Sequence, residues 1–302
     1  MATVLATVAV CWRIWRAGAS HVPGVMFPAI SELGVEMPQK KVYQLGFGIG
    51  GALLACGIAL FELVAAHGVL RVASMAPPET LQQMRGPKPL LQQEQQPLDQ
   101  AGLGTEAHKL MNSLLFWGYA AAGGVVLQGV FVLERSIGWR CFVHWGGAVL
   151  FMAGAMQHAR ASNELYALAQ VSADALSRAR QEMPTVVPGS ARGDVAAAEA
   201  LGRRLLKDGG VRNALKVRRL IVDYSSIVLF AVPLLAQMLL PRAAPPAADA
   251  AAVEAGATAD GAAPTEDATA MNTMGLAQWG IILQFACYFC TYTADLRAAS
   301  LA

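Results

Sequence analysis

The chain has 302 residues, 55% apolar and only 15% charged, where a soluble domain carries roughly 25% charged residues. Mean hydropathy is +0.41 and the net charge is +2, which argues against an ordinary soluble domain and gives no reason to expect a nucleic-acid partner. The apolar residues gather in blocks, and blocks are what lipid demands: a helix needs about 20 of them to cross the hydrocarbon core.

At the N-terminus, Ala2 to Trp12 is apolar but about half the length of a span, and Arg13 and Arg16 follow at once. This first segment, placed at residues 2–20, reads in one of two ways. It is either a short helix anchored at an interface by Trp12, Trp15 and the arginines, or the remnant of a longer first helix. Five full spans follow, at about 42–67, 110–133, 141–159, 220–240 and 272–294. In lipid every backbone polar group must be paired internally, so each span is expected to be helical. The fold class expected is therefore all-α: one multi-pass bundle over 1–302, with six helices of which the first is short.

The stretches between the spans differ in composition. Residues 71–109, rich in Gln and Pro, read as a flexible loop. The 160–219 insert should hold two amphipathic helices, Asn163–Glu182 and Val195–Lys216, separated by Pro184, Pro188 and Gly189. Residues 242–270, rich in Ala, Pro and acids, read as disordered. Sixteen of the 23 Lys and Arg residues fall on the side holding 71–109, the insert and the C-terminus, against seven on the other. The positive-inside rule places that first side in the cytoplasm and the 242–270 loop in the lumen.

Two motifs are decoys. Gly46-x-Gly48-x-x-Gly51 matches a dinucleotide fingerprint literally, but it lies inside an apolar span with no βαβ unit around it. Gly46 and Gly50 read better as a small-xxx-small packing face, and Gly146 and Gly147, beside His144, as small residues that permit close helix approach. The five cysteines lie mostly in apolar blocks and read as small buried residues, Cys287-x-x-Cys290 included.

Three stretches carry a resemblance. They are His21-Val22-Pro23 with Pro28-Ala29-Ile30-Ser31-Glu32-Leu33-Gly34 and Pro38; Val143-His144-Trp145-Gly146-Gly147-Ala148-Val149-Leu150; and Gln278-Trp279 with Phe289, Thr291-Tyr292 and Asp295-Leu296. Together they resemble the damage-regulated autophagy modulator family and its relatives in glycosylphosphatidylinositol-anchor lipid remodelling. The match covers nearly all of the membrane portion. Glu32 and Leu33 depart from the family's Asp and Thr, the first helix is short, and the insert has no counterpart. The resemblance implies six helices with both termini cytoplasmic. It also implies a protein of endomembranes or lysosomes, with the plasma membrane as an alternative, acting on trafficking through lipid or protein contacts. The rival it implies is an enzyme or accessory factor of anchor remodelling.

Ionisable residues in or beside lipid are costly and are the places to look for function. By the alternation of spans, His21, Ser31, Glu32, Gly34 and His144 share the lumenal side and could form one polar cluster. The plainer reading of His144 is a histidine hydrogen-bonded to a neighbouring helix. A metal needs three or four ligands and only His21, Glu32 and His144 offer themselves, so no metal and no cofactor is assigned. Asp223 with Arg218 and Arg219, and Asp295 with Arg297, read as helix-end charges. Trp279, Thr291, Tyr292 and Asp295 mark the last helix in the resemblance. The partners expected are membrane lipids, with anionic headgroups on the basic 203–219 segment as one reading and a merely solvated helix as the other.

Overall fold

The structure is a computed structural model that describes residues 1–18, 22, 24–74, 100–134, 138–182, 200, 204–239 and 268–300. Every regular element among them is helical. Helix α1 is Ala2–Ala17, and α2, Gln39–Phe61, passes through a π-helical turn at Glu62–Ala66 into α3, His67–Ser74. Then come α4, Gln100–Val130, α5, Trp139–Glu182, α6, Gly209–Leu239, α7, Ala268–Cys290, and α8, Tyr292–Ser300.

Among the described residues, three helical runs are long and apolar enough to cross a membrane: Gln39–Leu70, Glu106–Val130 and Ala270–Ala298. Their outward faces carry Leu45, Leu53, Leu60, Phe116 and Leu283, all exposed. Water penalises so much exposed apolar surface, and lipid does not. The span expected at 141–159 falls within α5 and that expected at 220–240 on α6 up to Leu239, with 240 outside the described residues; neither is among those three runs.

Helix α5 differs from the sequence reading. It is one helix of 44 residues, about 66 Å long at 1.5 Å per residue. The expected 141–159 span and the Asn163–Glu182 helix are thus a single element, because no Gly or Pro interrupts the chain between Gly154 and Glu182. Its second half packs on α3, where Ser172 Oγ lies 3.3 Å from the Ala73 carbonyl to which it donates. The 71–109 loop is likewise shorter than expected: α3 runs to Ser74 and α4 begins at Gln100, and 75–99 lies outside the described residues. So do 183–199, 201–203 and 240–267, which hold the middle of the insert and nearly all of the 242–270 stretch. Helix α6 starts where Asp208 Oδ1 accepts from Val211 N at 3.0 Å, the usual role of Asp before a first turn.

Helix α1 buries Val4, Thr7, Val8, Cys11 and Trp15, one face at helical spacing. That face lies on α2, where a Cβ on Gly46 would collide with Thr7 and one on Gly50 with Val4. Trp15 is 5% exposed, a packed residue instead of the expected interfacial anchor. Trp12 Nε1 donates to the Met26 carbonyl at 3.1 Å, and Arg16 stands over its ring. Gly147 meets the Gly124 backbone of α4, whereas Gly146 faces open space. The expected packing role thus fails for Gly146, which points outward on α5. Cys11 and Cys141 are buried, but Cys56, Cys287 and Cys290 are exposed. A small apolar thiol suits an outer face that meets lipid as well as it suits a core.

Candidate functional site

The chain alternates between two ends of the bundle, and each end gathers polar groups. At one end the segment 24–31 crosses α7 as a strap. Met26 N and Phe27 N donate to Asn272 Oδ1 at 2.7 and 2.9 Å, and Asn272 Nδ2 donates to the Gly24 carbonyl at 2.9 Å. Ile30 N and Ser31 N donate to Gln278 Oε1 at 2.8 and 3.4 Å, and Trp279 Nε1 donates to the Pro28 carbonyl at 3.2 Å. Gly275 lets the backbone at Phe27 and Pro28 lie directly on the helix, where any Cβ would collide with it. The strap continues into the single 3₁₀ turn Glu32–Gly34, in which Gly34 is packed tightly against Val132 and Tyr43.

Beneath the strap is a cavity of about 470 Å³, with Ser31, Glu32, Gln128, His144 and Gln278 among its lining residues. Of the expected cluster, Ser31, Glu32 and His144 therefore face one space. Gly34 packs behind the turn, and His21 lies outside the described residues. His144 is 2% exposed and its Nδ1 lies 2.8 Å from the Phe131 carbonyl, just past the end of α4. A carbonyl only accepts, so Nδ1 carries the hydrogen. His144 is thus held by the end of a neighbouring helix, as in the plainer reading, and it also faces the cavity.

The rest of the wall is apolar and deeper. On α5, Ala148, Phe151 and Met152 follow His144; on α7, Ile281 and Ile282 follow Gln278; on α2, Phe47 follows Tyr43. Phe151 and Phe285 meet edge to face, centroids 5.1 Å apart, between α5 and α7.

At the opposite end lies a cluster that the sequence reading did not find. The Arg218 guanidinium of α6 pairs with the Asp295 carboxylate of α8, and neither side chain has exposed surface. Tyr166 OH donates to Asp295 Oδ1 at 2.6 Å, Arg218 Nε to Thr291 Oγ1 at 2.8 Å, and Arg218 Nη1 to Ser162 Oγ at 3.2 Å. The guanidinium carbon also lies 4.2 Å from the Tyr292 ring centroid, a cation–π arrangement. One turn before Ser162, His158 Nδ1 lies 2.5 Å from Tyr288 OH and 2.8 Å from Tyr292 OH. His158 Nε2 has no hydrogen-bond partner, and its ring packs against Gly118.

This cluster corrects the reading of Asp295 and Arg218 as helix-end charges at a headgroup layer. Thr291, Tyr292 and Asp295, singled out on the last helix, converge here; Trp279 belongs to the strap. By contrast Arg204, Lys207, Arg212, Lys216 and Arg219 are exposed, so Arg218 alone of the described basic residues in that segment turns inward. Among the described residues no group of three His, Cys, Asp or Glu side chains is placed to hold a metal ion.

Compared with known proteins, the chain matches no family model, no curated protein and no solved structure.

Proposed function

We propose that this is a six-helix multi-pass membrane protein that acts without catalysis, by binding lipid in the cavity under the 24–31 strap. The six spans would be α1, α2, α4, α5, α6 and α7. The carrying observation is the cavity's polarity: Ser31, Glu32, His144 and Gln278 at one end and an apolar wall below. Pockets of a few hundred Å³ with an apolar lining and a few convergent polar groups are the usual form of small-ligand sites. The excess of basic residues at the other end supports placing the strap in the lumen. The five exposed basic residues around α6 support contact with anionic headgroups on the cytoplasmic face. The resemblance to autophagy modulators supports an endomembrane or lysosomal location. Lipids co-purifying with the full chain, compared with those of an Ala148→Trp variant that fills the cavity, test the reading. Lipid retained equally by both variants would refute it.

The second reading is an enzyme or accessory factor of glycosylphosphatidylinositol-anchor lipid remodelling. What favours it is that a carboxylate, Glu32, and a histidine, His144, line the same cavity. Anchor lipid composition in cells lacking the protein separates the two: altered anchors favour remodelling, unaltered anchors favour binding alone.

A further inference from the structure

We infer that the cavity takes one hydrocarbon chain of a two-chain bilayer lipid, which enters sideways between α5 and α7 and leaves its second chain in the leaflet at the strap end. The inference rests on the proposal that the cavity is a lipid site, and it specifies how the lipid is seated and from which leaflet it comes. Access, depth and volume carry it, and head charge does not, since Met1, Glu32, Tyr43 and His144 all line the wall.

Access comes first. Trp145 on α5 and Met274 on α7 both line the cavity, yet they are 45% and 57% exposed. Side chains that touch both the interior and the outer face mark an opening between the two helices. The slot runs on below them, where Ala148, Met152, Ile281 and Ile282 line the cavity and are half-buried. It ends where the buried rings of Phe151 and Phe285 bridge α5 and α7 edge to face. On the same two helices Val149 and Leu283 are exposed, so the surface beside the slot is apolar and suits hydrocarbon. The strap, held by Asn272, Gln278 and Trp279, covers the end of the cavity and leaves this side free.

Depth is the second observation. From His144 to Met152 on α5, and from Met274 to Ile282 on α7, the wall runs about 12 Å at 1.5 Å per residue. One leaflet contributes about 15 Å, half of a hydrocarbon core about 30 Å thick. Ser31, His144 and Gln278 stand at the strap end, with the apolar wall leading away from it. That is the orientation of a lipid in the leaflet on the strap side, head outward and chains inward.

Volume is the third. The cavity measures about 470 Å³, and at about 30 Å³ per water-sized group it holds roughly 16 such groups, one acyl chain and not two. A closed chamber of that size would admit only single-chain lipids. A slot open to the bilayer along its side has no such limit, because the second chain never has to enter.

The test uses the full chain in phosphatidylcholine nanodiscs, with photo-adducts mapped residue by residue. The probe is a diacyl phosphatidylcholine with a diazirine near the end of one chain. Adducts should form on Phe151 and Ile282, which line the cavity, as well as on exposed Val149, which meets bulk lipid. Ile58, buried but outside the cavity wall, should stay unlabelled. Moving the diazirine to the carboxyl end of the chain should shift the cavity adducts to His144 and Gln278. Ala148→Trp, and Ile281→Trp from the other side of the slot, should each cut labelling of Phe151 at least tenfold and leave that of Val149 unchanged. Cavity adducts from lysophosphatidylcholine but not from the diacyl probe would overturn the side slot and leave the lipid site standing. The opposite depth order would overturn the leaflet assignment in the same way. Adducts on Val149 with none on Phe151 or Ile282 would sink both the slot and the lipid site. The comparison of Phe151 with Val149 uses the unaltered chain, so it decides even where the variants fail to fold.

Discussion

Arg218 and Asp295, 77 positions apart in the sequence, form an ion pair with both side chains fully buried. A buried pair is seldom stabilising relative to apolar residues of the same shape, but breaking one leaves an unpaired charge and costs about 3–5 kcal/mol. The surrounding hydroxyls, Ser162, Tyr166 and Thr291, lower the cost of burial by satisfying the remaining donors and lone pairs.

Arg218→Ala or Asp295→Ala alone should therefore destabilise the detergent-solubilised protein by several kcal/mol. The pair Arg218→Met with Asp295→Leu should cost much less than either single change. Thermal unfolding followed by thiol accessibility of Cys11 is a suitable readout, since that thiol is buried. Single variants as stable as the parent would mean that the two charges do not meet.

Glycines on two helices make a matched comparison. Gly46→Leu places a side chain where Thr7 already stands, and Gly146→Leu places one in open space. Overpacking costs typically about 1–3 kcal/mol, while a change on an open face stays within about 0.5 kcal/mol. Gly46→Leu should thus lower the unfolding temperature and loosen α1 from α2, and Gly146→Leu should do neither. Equal behaviour of the two would argue against the α1–α2 contact.

How far the sequence alone reached follows from what each signal measures. The apolar blocks predict α2, α4 and α7 because length and hydropathy are summed along the chain, and lipid sets both. Helix α5 escapes such a sum: charged residues from Arg160 onward end the apolar block while the backbone continues helical to Glu182. The absence of Gly and Pro up to Pro184 is the sequence signal for that continuation. Ser31, Glu32 and His144 were predicted to share one end because spans alternate. Arg218 and Asp295 could not be paired that way. Each sits among other charges near the end of an apolar block, and only the packing of α6 against α7 and α8 selects Arg218 over Arg219.

The topology proposed for the bundle is open to a direct check. A tag near Pro188 should be reached from the cytosol, and one between Pro245 and Pro264 only from the lumen, because α6 separates them. Selective permeabilisation with antibody detection reads this. Both tags on one side would remove α6 as a span.

The strap offers the sharpest test of how the cavity is closed. Gln278 Oε1 accepts from Ile30 N and Ser31 N, and Asn272 Oδ1 from Met26 N and Phe27 N, so two side-chain oxygens satisfy four backbone donors. An amide left without a partner in a buried site costs about 1–3 kcal/mol, which is enough to favour local opening. Gln278→Leu removes the acceptor while keeping the approximate volume. Amide exchange at Ile30 and Ser31 should then accelerate by about tenfold or more, since 1.4 kcal/mol is a factor of ten in an opening equilibrium. Gln278→Glu keeps an oxygen in place and should hold protection near the parent level at those two amides. Exchange elsewhere, for example at the Phe61 end of α2, should not change in either variant. If Gln278→Leu leaves Ile30 and Ser31 as protected as before, the strap is held by Trp279 and Asn272 alone. If Gln278→Glu exposes the strap as fully as Leu does, side-chain volume and not the shared oxygen is what closes the cavity.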